Sequence, residues 1–235
     1  SVAFPPKEKC ILTGGGDKMA TLWDLKGHEI QIFNGNTSDI WSVAFSPDGN
    51  HILTGSEDET AKLWDLKGHE IQTFKAFSGY ASIKSIIFSP DGKYVLTGGE
   101  DKTAKLWDLQ GHKIQTFIGH AFSVSSVAFS PDSKYILTGS EDKTGKLWDL
   151  QGHEIQTFNG HTSSLLSVEF SSDSKYILTQ ASDSTAKLWD LLGHEIHTFG
   201  GATSHLWSVA FSPDSKYILT VSWFEGAKLC DLHGR

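Results

Sequence analysis

The chain has one arginine, Arg235, among its twenty cationic residues; the other nineteen are lysine. Arginine grips phosphates and guanine edges through paired hydrogen bonds, so its scarcity, with a formal net charge of -8, argues against a nucleic-acid partner. Cysteine is nearly as scarce. Cys10 and Cys230 are too few for a disulfide framework and read as free thiols in a reducing, cytoplasmic setting, although both lie near the chain ends, where a bridge stays open. No run of consecutive apolar residues exceeds three, far below the roughly 20 that span a bilayer, which removes a transmembrane helix, a signal-peptide core and a membrane partner. No helical pattern separates the apolar segments, which removes parallel βαβ folds. The chain also lacks an initiator methionine and opens inside a repeat at Ser1-Val2-Ala3-Phe4, so it reads as a piece of a longer protein.

What is present is repetition. Leu-Trp-Asp recurs with its tryptophan at Trp23, Trp64, Trp107, Trp148 and Trp189, and an altered sixth copy reads Leu229-Cys230-Asp231, at spacings of 41, 43, 41, 41 and 41 residues. A second marker, Ser-(Val/Ile)-x-Phe, keeps the same step at Phe4, Phe45, Phe88, Phe129, Phe170 and Phe211, so residues 1–235 read as one repeat domain. Within a copy the apolar pattern has a period of two: Leu166, Val168 and Phe170 share a face that Ser167 and Glu169 do not. A type I turn follows at Ser130-Pro131-Asp132-Ser133, then a strand Tyr135–Gly139, a tight connection Ser140–Thr144, a strand Lys146–Leu150, a Gly-His turn and a strand Glu154–Phe158. Four short antiparallel strands repeated about every 40 residues predict radially set blades.

The units resemble the WD-repeat β-propeller family, particularly near-identical bacterial-type arrays, over essentially the whole chain. The resemblance implies an all-β propeller of six antiparallel blades with four strands each. The sixth blade stops short of its outer strand within this chain, which leaves a place for later residues or for a strand-supplying partner.

His120, Thr138, Asp142 and Trp148, and again His161, Thr179, Asp183 and Trp189, match the family's structural tetrad, in which hydroxyl, imidazole and carboxylate satisfy a buried indole N–H. An active site has no reason to recur around a ring, so no catalytic residue is assigned. At the histidine position other copies carry Asn36, Gly79 and Ala202, so the network is expected to be complete only in blades 4 and 5. Blade 6 has Phe224 for the aspartate and Cys230 for the tryptophan; it is expected to be apolar there, and Phe224 either refills the gap or joins the aromatic cluster of the rim. The turn histidines His28, His69, His112, His153 and His194 are spread one per blade and cannot converge on one metal ion, and Gly14-Gly15-Gly16 lacks the lysine and helix of a phosphate loop. No metal and no cofactor is expected.

Function is sought where copies disagree. Carried over from the family, the top-rim contact positions are Trp41, Lys84 and Trp207 with Asp39 and His205 two residues before the first and last of these. Beside the tetrad aspartate stand Glu57, Glu100 and Glu141, an acidic arc, and Trp223 in the sixth copy. A loop two residues longer than its counterparts adds Phe77 and Tyr80. Aromatic side chains among carboxylates imply a non-catalytic interaction scaffold for a protein or peptide of basic and apolar character. A sensory or autoinhibitory propeller of a larger bacterial signalling protein is the alternative, and an enzyme with a channel site has the least support.

Overall fold

Short apolar segments of five or six residues, rich in β-branched and aromatic side chains and bounded by turns, make the copies strand formers, and among the described residues there is no helix. The computed structural model describes residues 1–6, 9–77, 79, 81–201, 206–224 and 226–235. In the second copy Ile40–Phe45, His51–Ser56, Thr60–Asp65 and Glu70–Lys75 pair antiparallel in chain order. Five sheets have this four-stranded form, and the sixth has three strands, Leu206–Phe211, Tyr217–Ser222 and Gly226–Asp231.

Two turn chemistries set the register. In the first, the Ser46 hydroxyl donates to Asp48 at 2.5 Å and accepts the backbone N–H of His51 at 2.9 Å, while Gly49 N–H closes onto Ser46 carbonyl oxygen at 2.9 Å. The fourth turn residue lies in the left-handed region: φ is +78° at Gly49 and +60° at Ser133, where serine stands in glycine's place. In the second, Asp65 accepts the backbone N–H groups of Lys67 and His69 and meets His69 Nδ1 at 2.8 Å. His28, His112, His153 and His194 are tied in the same way to Asp24, Asp108, Asp149 and Asp190. These recurring histidines are thus turn clamps. Arg235 replaces histidine in the sixth turn, with Nε 3.2 Å from Asp231.

The chain divides into two compact units, residues 1–119 and 120–235, each holding three sheets. Within each unit one packing rule recurs: the leucine pair of one sheet meets the Ile, Val and Trp face of the next. In the first unit Leu53, Leu63 and Phe74 pack against Ile83, Ile86, Val95 and Trp107. In the second, Leu137, Leu147 and Phe158 pack against Leu165, Val168, Ile177 and Trp189. Each such leucine contributes about 2 kcal/mol of burial. The sixth sheet breaks the rule: Leu219 is 40 % and Leu229 62 % exposed, whereas their copies Leu178 and Leu188 are sealed.

Candidate functional site

The third-strand tryptophan of each of the first five sheets donates its indole N–H to a second-strand threonine, at 2.9 Å from Trp148 to Thr138 and 2.8 Å from Trp189 to Thr179. Indole is a donor only, so the threonine oxygen accepts and its own O–H turns to His120 Nε2 at 2.7 Å; the Lys146 carbonyl, at 3.4 Å, is a poor competitor. The ring proton then sits on Nδ1 and donates to Asp142 at 2.8 Å. His161 repeats the relay between Thr179 and Asp183. Burial favours the neutral imidazole and holds both histidines below their usual pKa, against the pull of the aspartates. Burial also pushes Asp183 up, but the Thr185 hydroxyl, the Thr162 N–H and His161 outweigh it and bring the carboxyl down to about 2.

The network is not confined to these two sheets, which corrects the expectation from the histidine pattern. In the second sheet Asn36 Oδ1 accepts the Thr54 hydroxyl at 2.8 Å and its Nδ2 donates to Asp58 at 3.4 Å, so an amide carries the relay in the same direction as a neutral imidazole. The third sheet, with Gly79 at that position, is built differently. Phe77 fills the space, and the Lys105 ammonium lies 4.0 Å from its ring centre and bonds to Asp101. In the second, fourth and fifth sheets the equivalent lysines pair with a glutamate on the fourth strand, Lys62 with Glu70, Lys146 with Glu154 and Lys187 with Glu195; here that position is Lys113, whose charge disfavours Lys105 while Asp101 holds it.

Phe77 is therefore 7 % exposed and belongs to the core, not to the contact surface where the long loop had suggested it. A loop insertion beside an emptied tetrad position turns its first large apolar side chain inward. Tyr80 and His205 lie outside the described residues.

The structure brings together several of the other rim residues in the first unit. Trp41 is 48 % exposed, and the Lys84 ammonium sits 4.4 Å above its ring while bonding Glu100 at 2.8 Å. Glu100 also accepts the Ser82 N–H at 3.1 Å, and these two donors, Lys84 foremost, hold it below the usual carboxylate range. Glu57, exposed and bonded by Ser38 Oγ at 2.9 Å, shares with Glu100, Asp58 and Glu59 an open concavity of 510 Å³. Asp39 lies alongside, its carbonyl accepting Glu57 N–H.

In the second unit Trp207 and Trp223 stack at 5.8 Å with 27° between their planes, and Phe224 is 70 % exposed. Of the two alternatives for Phe224, its exposure favours the aromatic cluster over refilling of the gap. Leu166 and Trp207 border a hollow of 190 Å³. Glu141 is exposed on its turn, with its carbonyl near Ser164 Oγ.

Glu169 is the group that sequence reading passed over. It stands where other copies have Ala44, Ile87, Ala128 and Ala210, and burial raises its pKa, opposed by one N–H, from Phe211 at 3.4 Å. A lone carboxyl without a second titrating partner is a packing irregularity, not an acid–base pair.

No helix among the described residues is long and apolar enough to cross a membrane. No curated protein matches the chain. A family model described as the IFT122 first beta-propeller matches residues 1–231. The chain therefore belongs to that family, its five four-stranded sheets and final three-stranded sheet forming six blades of a WD-repeat type β-propeller.

Proposed function

We propose that the protein is a non-catalytic scaffold that holds a segment of basic and apolar character on the rim bearing Trp41, Asp39, Glu57, Lys84 and Glu100. Propellers of this type are typical protein-interaction scaffolds, which supports the general role. The observation that carries the finer reading is the Lys84 ammonium held between the Trp41 face and Glu100 beside an open acidic hollow. A lysine of the chain itself occupies the kind of place a partner's lysine would take, and a cation over an indole contributes about 0.5–2 kcal/mol. Within the second unit, Trp207, Trp223 and Leu166 form an exposed apolar group of their own. Among the described residues Gly226–Asp231 is the outer strand of its sheet, a place that suits a strand-supplying segment patterned like Glu195–Phe199.

The test is fluorescence titration with a lysine–leucine peptide and its glutamate–leucine counterpart. Binding of the first alone, weakened by salt and lost in Trp41→Ala without a change in thermal unfolding, is the expected result. Equal binding of both peptides, or capture indifferent to Trp41→Ala, overturns the reading.

A further inference from the structure

The third-strand tryptophans rest in a recurring niche. The ring meets the phenylalanine that ends the preceding sheet's fourth strand, at 6.0 Å for Phe33 and Trp64, 5.9 Å for Phe74 and Trp107, and 5.8 Å for Phe158 and Trp189. Its edge crowds a glycine just beyond that strand: a Cβ at Gly35 would come within 2.8 Å of Trp64 and one at Gly160 within 3.1 Å of Trp189. Its N–H finds the threonine, and in two sheets a lysine ammonium lies 6.0 Å from its ring centre. In the sixth sheet the niche is intact except for its occupant. Phe199, Thr220 and Lys228 keep their places, Cys230 replaces the tryptophan, and Phe224 points away. What remains is a cavity of 200 Å³ lined by Phe199, Gly200, Leu206, Thr220, Lys228 and Cys230. Its wall also differs from the earlier copies: His197 stands where they carry glutamine, with its ring 4.6 Å from Phe199, which adds a second aromatic surface.

We propose that this cavity binds a free planar aromatic N–H donor of the indole class. The ring lies against Phe199, the N–H reaches Thr220 Oγ1, and one edge covers the Cys230 sulfur. The volume suffices for a ring, being above the ~150 Å³ in which a closed apolar cavity takes up benzene, and the polar part of the lining, Thr220 and Lys228, suits a ring that carries a donor. The hydrogen-bond acceptor is specified by five copies of the same contact in this chain, so a ring without the donor leaves the threonine unmet. This site is independent of the rim reading.

Indole and N-methylindole are the probes. Expected are a saturable rise of about 2 °C in the unfolding midpoint with indole, slower alkylation of Cys230 by iodoacetamide, read by mass against the buried Cys10, and a markedly smaller effect of N-methylindole. Cys230→Trp should refill the niche and abolish the shift of the unfolding midpoint by indole. Should that variant fail to fold, Thr220→Val decides: it should bind the two probes alike. No shift and no protection, or a thermal shift that persists in Cys230→Trp, or a preference for indole that survives Thr220→Val, overturns the proposal.

Discussion

At the scale of single residues, the relay from tryptophan to aspartate is defined by donor and acceptor order, not by residue name. Asn36 is 6 % exposed and meets the same two partners as His120 does. Asn36→Ala should cost about 2 kcal/mol in urea denaturation, because two buried polar groups lose a partner, while Asn36→His should stay within about 0.5 kcal/mol. Glu169 works in the opposite sense. Its folded-state pKa is raised, so its contribution is full below the ordinary glutamate value of 4.5 and is lost as pH rises through the folded value. Glu169→Gln is expected to stabilise the chain by about 1 kcal/mol at pH 7 and to be near neutral at pH 4, read from urea midpoints at both. The tetrad members were legible from their spacing. The amide substitute was not, because a pattern of names hides that Asn and neutral His both carry one donor and one acceptor on opposite sides. Phe77 misled for a related reason: loop length is visible in the sequence, whereas the direction of the inserted ring depends on the void left by Gly79.

At the scale of elements, strands and turns were legible throughout, since alternation and Ser-Pro-Asp chemistry act within a few residues. One turn feature yields a direct test. Ser133, Ser174 and Ser215 adopt φ of 58–60° where two earlier copies have glycine. A left-handed conformation costs a residue with a Cβ about 1–2 kcal/mol, partly offset by glycine's larger unfolded-state entropy. Ser133→Gly should therefore raise stability by about 0.5 kcal/mol, and combining it with Ser174→Gly should nearly double the gain in thermal unfolding, since the two turns are separate. The empty niche of the sixth sheet lay beyond such local rules. Loss of the tryptophan was plain in the sequence, but whether Phe224 would fill the gap depends on the rotamer and backbone path after Trp223.

At the scale of the whole molecule, repetition multiplies small couplings. Both relay histidines are held below the ordinary histidine value of 6.5, so as pH falls through that value the unfolded chain takes up protons that the folded chain refuses, and stability declines. The relay aspartates add a second decline below 3.8, toward the Asp183 value of about 2. The unfolding midpoint should thus fall between pH 7 and pH 5, and a His120→Asn/His161→Asn variant, built on the chain's own amide solution, should show a flatter profile there; parallel profiles would contradict this account. Near-identical copies also raise a problem of address during folding, because a fourth strand from one blade fits the backbone of another. Lys113 supplies part of the answer. Placed by mistake beside Lys62 or Lys146, it would set two ammonium groups together where each of those lysines now holds a glutamate. The third blade, where Lys105 has swung to Asp101, tolerates that strand, so the mark excludes it from the blades built on a lysine–glutamate pair. The irregular blade marks a position along the chain and gives an otherwise uniform array a reading frame.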